Sequence, residues 1–262
     1  MPAEEKGKKK KSRSWLVFSV FLVFSRTGGV EASPFLRSLS PDMLRYGVLA
    51  IALVACAHSA TVHDANNFVD TVLTEKLPPL VRASLNLFPV VRIPFFNFDV
   101  AKNAPTNRNL HANLTEGAIR NLDIGVRRMG ECQVPAVKEG IPTIACTLDL
   151  NGINTTFIAY TRGDNLLSSL KEIWVNVLTV DSVARFEATG NQQRVSQLRT
   201  FEVPHLHFTT LYNSDLHLNT ERQRKFKAHI EAKVKQTLQE ALYADYKLQL
   251  TRAVAATPFP IV

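Results

Sequence analysis

Residues 143–160, TIACTLDLNGINTTFIAY, contain two β-strand patterns on either side of an Asn-Gly pair. Apolar and polar residues alternate along the first pattern, and its apolar residues would share one face: Ile144, Cys146, Leu148 and Leu150. An Asn-Gly pair between two such patterns is typical of a tight hairpin turn. The stretch therefore predicts two antiparallel strands, joined at Asn151-Gly152, with one apolar face.

Strand character extends over most of residues 90–212. The predicted strands are residues 110–122, 124–134, 143–150, 154–160, 172–180, 183–188, 195–203 and 205–211. Gly163-Asp164 and Gly190-Asn191 indicate further turns. Because the connections are short, the strands are expected to pair antiparallel, since parallel pairs need long crossovers.

Helical patterns flank this region on both sides. The first covers residues 62–87, and Pro78-Pro79 is expected to kink or end it. The second covers residues 219–252. Its apolar stripe is Phe226, Ile230, Val234, Leu238 and Leu242, with Ala241 and Leu248 extending it. The order helix, antiparallel strands, helix predicts that both apolar stripes pack against one sheet face.

The residues before the first helix have the features of export. Residues 43–60 read as a secretory signal peptide, with a short apolar core and small residues at the cleavage position. Residues 1–42 are then an upstream extension, either artefactual or non-structural, and residues 61–262 form a single domain. The whole chain has a net charge of +8. Residues 1–60 hold nine of its 31 Lys and Arg and four of its 23 Asp and Glu, so the remainder is +3. This mixed charge gives no indication of a nucleic-acid partner.

Two cysteines remain in the expected mature chain. Cys132 and Cys146 favour a disulfide in an exported protein, and two unpaired thiols are the alternative. No further Cys or His pair with zinc-ligand spacing lies near them. Asn113 and Asn154 begin glycosylation sequons, so we expect a glycan at one of them if it is exposed.

Two quoted stretches resemble a known family. Residues 117–134, GAIRNLDIGVRRMGECQV, and residues 140–160, GIPTIACTLDLNGINTTFIAY, resemble the group-seven mite allergens. Those belong to the tubular lipid-binding superfamily, with the arthropod takeout and juvenile-hormone-binding proteins and the bactericidal/permeability-increasing proteins. The resemblance implies an α+β fold in which a strongly curved antiparallel sheet wraps around long N- and C-terminal amphipathic helices and encloses an apolar groove.

A groove of this kind predicts a secreted, non-enzymatic carrier of a hydrophobic small molecule such as a fatty acid or terpenoid. The candidate groove residues are Ile144, Leu148, Leu150, Ile158, Val175, Val177, Phe208, Phe226, Ile230, Val234 and Leu238. Each could instead be an ordinary core residue. No cofactor, nucleic-acid partner or stable membrane insertion is expected.

Two other functions compete with the carrier. A secreted immune or host-interaction module could recognise a microbial lipid or a receptor through basic residues such as Arg127-Arg128 and those in 222–235. An enzyme finds little support, because the sequence lacks a nucleophile elbow, a phosphate loop and a zinc-protease motif. His205 and His207 would share a strand face, but they lack further metal ligands nearby.

Overall fold

A computed structural model describes residues 60–260, except for 106, 139, 164–168, 192, 194, 214 and 215. The predicted signal peptide, apart from Ala60, and the segment before it lie outside these residues.

The N-terminal helical segment runs from Val62 to Arg82. It consists of α1 (Val62–Thr71), a π-helical turn (Val72–Lys76) and α2 (Leu77–Arg82). The expected helix over 62–87 is therefore too long. Pro78-Pro79 lies at the start of α2, where a missing N–H costs little. The π-helical turn before α2 changes the hydrogen-bonding pattern just ahead of the prolines: the Leu77 N–H donates to the Val72 carbonyl, five residues earlier. The helix can then continue through Pro78-Pro79.

Every strand pair among the described residues is antiparallel. The strands are β1 (Val91–Ile93), β2 (Phe96–Val100), β3 (Leu110–Arg120), β4 (Arg127–Arg128), β5 (Ala136–Lys138), β6 (Ile141–Asp149), β7 (Asn154–Gly163), β8 (Lys171–Gly190) and β9 (Ser196–Tyr212). Of the predicted strand 124–134, only the two residues of β4 are in a strand, and they pair with β6. Conversely, β8 and β9 each unite two predicted strands. Bulges, including one at Asp181 where φ is positive, bend them without ending them.

The predicted hairpin at Asn151-Gly152 is wrong. β6 and β7 do not pair with each other, because both pair with the same edge of β8, one after the other. The Leu150 N–H donates to the Ser182 carbonyl, and the Thr179 N–H donates to the Ile153 carbonyl, so the ladder to β8 continues across the turn. Glycine is needed at 152 for a close approach. A Cβ there would lie 2.6 Å from the Gly125 Cα.

This arrangement divides the sheet into two halves that share β8 and β9. The disulfide half contains β4, β5 and β6 beside residues 183–190 of β8. The aromatic half contains β1, β2, β3 and β7 beside residues 171–178 of β8. β9 borders β8 through both.

The C-terminal helical segment covers the inner face of the sheet. It consists of α3 (Thr220–Ala241), a second π-helical turn (Leu242–Tyr246) and α4 (Lys247–Ala255). The predicted stripe from Phe226 to Leu242 is fully buried, but Leu248 is exposed. The π-helical turn shifts the helix phase, so the stripe continues through Tyr246, Leu250 and Val254. The predicted α+β class, a curved antiparallel sheet with long N- and C-terminal helices, is confirmed.

Candidate functional site

Most of the predicted groove residues belong to one hydrophobic cluster, to which the inner sheet face and the α3 stripe both contribute. Nine of the predicted groove residues are buried in this cluster: Ile144, Leu148, Leu150, Val175, Val177, Phe226, Ile230, Val234 and Leu238. Phe208 is partly buried and packs against the same cluster. Strand alternation brings the sheet residues to one face, and spacing of four brings the helix residues to one side.

Ile158 is the exception. β7 buries Thr155, Phe157 and Ala159, so Ile158 lies on the opposite face of the sheet, where it pairs with the exposed Trp174. Because side chains of a strand alternate between faces, its placement in the groove is wrong.

The interior that these residues form is closely packed. The nine buried groove residues have relative exposures of 0–1%. A water-sized void beside any of them would leave part of its surface accessible. A ligand between α3 and the sheet would therefore need side chains or the helix itself to move.

One polar group lies unpaired in this apolar interior. Tyr246 is fully buried, packs 5.9 Å from the Phe201 ring, and its hydroxyl has no hydrogen-bond partner. Burial raises the pKa of Tyr246 strongly, so the phenol stays protonated and remains a donor. The hydroxyl of the nearby Tyr243 instead accepts a hydrogen bond of 2.8 Å from the Val203 N–H. Tyr246 lies four residues after Leu242, so helical spacing could have placed it in the stripe.

In the aromatic half, rings cover the beginning of the α3 stripe. The ring centroid of Phe226 lies 5.6 Å from that of Phe98 and 5.3 Å from that of Tyr212. The Phe98 ring stacks on the His229 ring, with their centroids 4.7 Å apart. Partial burial raises the pKa of Tyr212. Phe98 and Tyr212 are only partly buried, so the apolar interior comes close to solvent here.

A polar cavity of about 430 Å³ lies at the start of α3. It is lined by the basic residues Arg108, Arg162, Lys171, His217 and Arg222, together with apolar residues that include Leu110, Leu216 and Leu218. Arg222 was predicted as part of a solvent-facing basic patch, but it is 7% exposed. Its position four residues before Phe226 is the signal that would have placed it on the buried side of α3.

Two other residues of the predicted basic surface form ion pairs with neighbouring carboxylates. Arg128 makes two hydrogen bonds to Asp70, with Nη2–Oδ2 at 2.7 Å. The Lys225 ammonium lies 2.8 Å from Glu221 and holds the pKa of that carboxyl below its usual value. A second cavity, of about 450 Å³, lies beside Arg128 and is lined by Leu73, Pro78, Ile124 and Val126.

The predicted disulfide between Cys132 and Cys146 is confirmed. It ties the segment before β5 to β6, and the Gln133 N–H also donates to the Ala145 carbonyl. Of the two sequons, Asn113 lies on the exposed side of β3 and Asn154 is partly buried at the start of β7. Glycosylation stays a prediction, and Asn113 is the more accessible acceptor.

His205 and His207 stack with their ring centroids 6.2 Å apart on exposed positions of β9. Within the described ranges, no group of three His, Cys, Asp or Glu side chains could hold a metal ion. No helix in the same part of the chain is long and apolar enough to cross a membrane.

The chain is 41% identical over 222 residues to salivary anticoagulant protein P23 of Ixodes scapularis. The match covers 84% of this chain and 100% of that protein. This chain belongs to the P23 family. No family model matches it.

Two solved structures are similar to this member of the P23 family. Takeout 1 of Epiphyas postvittana has a TM-score of 0.26 and 11% identity, over 72% of this chain and 91% of that one. Lipopolysaccharide binding protein has a TM-score of 0.35 and 12% identity, over 70% of this chain. The match spans 41% of the latter protein's length. The two likenesses concern the fold alone.

Proposed function

We propose that the protein is a secreted, non-enzymatic carrier that holds a hydrophobic small molecule between α3 and the inner face of the sheet. The observation that supports this proposal is the unpaired Tyr246 hydroxyl inside a mainly apolar interior. Buried tyrosine hydroxyls normally have a partner, and ligand sites are mostly apolar with a few placed polar groups. A lipid with a carbonyl or hydroxyl group would supply both kinds of contact.

Because the interior is closely packed, a ligand can enter only if side chains or α3 move apart. Each methylene that it buries contributes about 0.8 kcal/mol, which can offset the separation of side chains. The aromatic half is the proposed entrance, because Phe98, Tyr212 and Leu218 pack against the core but remain partly exposed.

Secretion is proposed on two grounds. The relative at 41% identity is named as a salivary protein. The sequence of residues 43–60 independently has the features of a signal peptide. A secreted carrier would meet its ligand outside the cell.

The carrier proposal is tested by expressing the full chain in a secreting eukaryotic culture and analysing an organic extract of the purified protein by mass spectrometry. We expect a lipid in near-stoichiometric amount, absent from an unrelated secreted protein of the same culture. The delipidated protein should also take up a fluorescent fatty acid. A folded protein that carries no lipid and takes up no probe would contradict the proposal.

Tyr246→Phe tests the proposed polar contact. Losing one hydrogen bond to an uncharged ligand group should weaken binding of the extracted lipid about 2–10-fold. Tyr243→Phe is the matched control, because its hydroxyl already has a backbone partner and should not affect affinity. Equal affinities in the wild type and both variants would remove Tyr246 from the site.

A second candidate function is interference with blood clotting. It is favoured by the 41% identity to a protein named as an anticoagulant, over the whole length of that protein. It is also a form of the host interaction considered from the sequence. The test is thrombin generation in plasma with the delipidated and the lipid-loaded protein. Unchanged clotting with both forms would exclude this function, whereas an effect of one form alone would link it to carriage.

A further inference from the structure

The polar cavity at the start of α3 lies directly beside the apolar interior. β3 and β7 of the aromatic half contribute Leu110 and Thr161 to its wall, and α3 contributes Arg222. One helical turn further, Phe226 lies in the aromatic cluster with Phe98 and Tyr212. The polar cavity therefore adjoins the closely packed apolar interior along a single face of α3.

Arg222 is held in this wall with part of its guanidinium group unpaired. The side chain is 93% buried. Its Nη2 donates to the Arg108 carbonyl at 2.5 Å, and its Nε has no hydrogen-bond partner. Among the described lining residues, none carries a carboxylate. A buried guanidinium is costly unless it is paired with an anion, and its planar fork matches carboxylate and phosphate oxygens.

Other features of the cavity are also cationic. Arg162 and Lys171, at the ends of β7 and β8, line the cavity and take part in interactions of their own. The N-terminal end of a helix carries partial positive charge, and α3 begins here. The site therefore favours an anion over a neutral group.

We propose that the cavity binds the oxyanion headgroup of an amphipathic ligand, a carboxylate or a phosphate, on Arg222. The acyl chain would continue past Phe226 into the interior. This inference rests on the proposed carrier function. It adds the chemical class of the ligand and places the ligand's headgroup at the start of α3.

The test is calorimetric titration of the delipidated full chain with palmitate and with methyl palmitate at pH 8. The two probes have the same acyl chain, and the ester carries a methyl group in place of the negative charge. A charged hydrogen bond to Arg222 should make palmitate bind about 10-fold or more tightly than the ester. Arg222→Met should abolish this preference, so that acid and ester bind the variant with the same affinity. Arg224→Met is the matched control, because Arg224 is exposed on the same helix, and it should retain the preference.

Inorganic phosphate as competitor distinguishes a lipid headgroup from a free anion. Competition with palmitate but not with the ester supports an oxyanion site at the mouth. If phosphate binds and neither lipid does, the site is a free-anion site, and both the headgroup inference and the carrier proposal fail.

Equal affinity of the wild type for acid and ester would overturn the inference and leave the carrier proposal intact. Binding of none of the three probes would overturn both. If Arg222→Met does not give a folded protein by circular dichroism, Arg222→Lys, which retains the charge but loses the fork, should show a reduced acid-over-ester ratio. Whichever variant is used, the ratio of palmitate affinity to methyl palmitate affinity in the wild-type protein decides whether the inference holds.

Discussion

The two halves of the sheet share β8 and β9, but different interactions stabilise each half. In the disulfide half, Cys132–Cys146 ties β6 to its neighbouring segment, and Arg128 ties β4 to Asp70 of α1. There the Ser196 hydroxyl also donates to the Thr257 carbonyl at 2.6 Å. In the aromatic half, rings of Phe98, Phe226 and Tyr212 pack in contacts of 5.3–5.6 Å around a partly exposed entrance.

This difference indicates a division of roles. A covalent bond and a two-point ion pair fix one geometry, whereas aromatic contacts adapt to small displacements at modest cost. We therefore expect the disulfide half to carry stability and the aromatic half to carry the movement that admits a ligand.

The largest expected effect concerns the face that both halves share. Ile230→Asp should prevent folding, because an unpaired carboxylate buried in the core costs several kcal/mol against a total stability of about 5–15 kcal/mol. Circular dichroism and proteolysis measure the outcome. Leu248→Asp, at an exposed position of α4, is the control and should change stability by less than about 0.5 kcal/mol. A folded Ile230→Asp protein would mean that α3 does not lie on the sheet.

The next prediction separates the halves. Replacing both Cys132 and Cys146 with Ser should lower the free energy of unfolding by about 3 kcal/mol, because the bond closes a loop with a sequence separation of 14. Thermal unfolding should shift by about 6–12 °C. Affinity for the fluorescent fatty acid should stay unchanged. A loss of affinity as large as the loss of stability would show that the halves are not independent.

A third change acts at the joint between the halves. Gly152→Ala should destabilise the protein by about 1–3 kcal/mol, because the added Cβ meets the Gly125 backbone at 2.6 Å. Thr147→Ala, at an exposed position of β6, is the control. Denaturant unfolding gives both values. If Gly152→Ala is neutral, the close approach to Gly125 does not constrain the joint.

The smallest expected effect has the opposite sign. Tyr246→Phe should leave the unfolding free energy unchanged or raise it by up to about 1 kcal/mol, because it removes an unpaired buried hydroxyl. Tyr243→Phe should lower it by about 1 kcal/mol, since it removes the bond from the Val203 N–H. Denaturant unfolding of the two variants in parallel measures the difference. A marked destabilisation by Tyr246→Phe would mean that its hydroxyl has a partner.

The elements that periodicity defines could be predicted from the sequence. The stripe of α3 and the alternation in β6 and the start of β8 were correct because each depends on neighbours within one element. The disulfide could be inferred from compartment and cysteine count. The class of fold followed from the order of the elements.

The remaining features depend on contacts between distant segments. Asn151-Gly152 has the local chemistry of a hairpin, but pairing with Ser182 and the approach of Gly125 make it a joint in one long ladder. Ile158 was misplaced because Phe157, not Ile158, faces the helices. The π-helical turn before Leu248, which leaves that residue exposed, has no signature in the local sequence.

The joint at residues 150–153 has a consequence for fragments of the protein. A single backbone cut there would leave β6 and β7 each hydrogen-bonded along its own part of β8, with no strand deprived of its partner. Two peptides that end and begin at this joint would thus retain every ladder of the intact sheet. The chain is suited to reconstitution from two pieces, with the second piece acting as the template for the first.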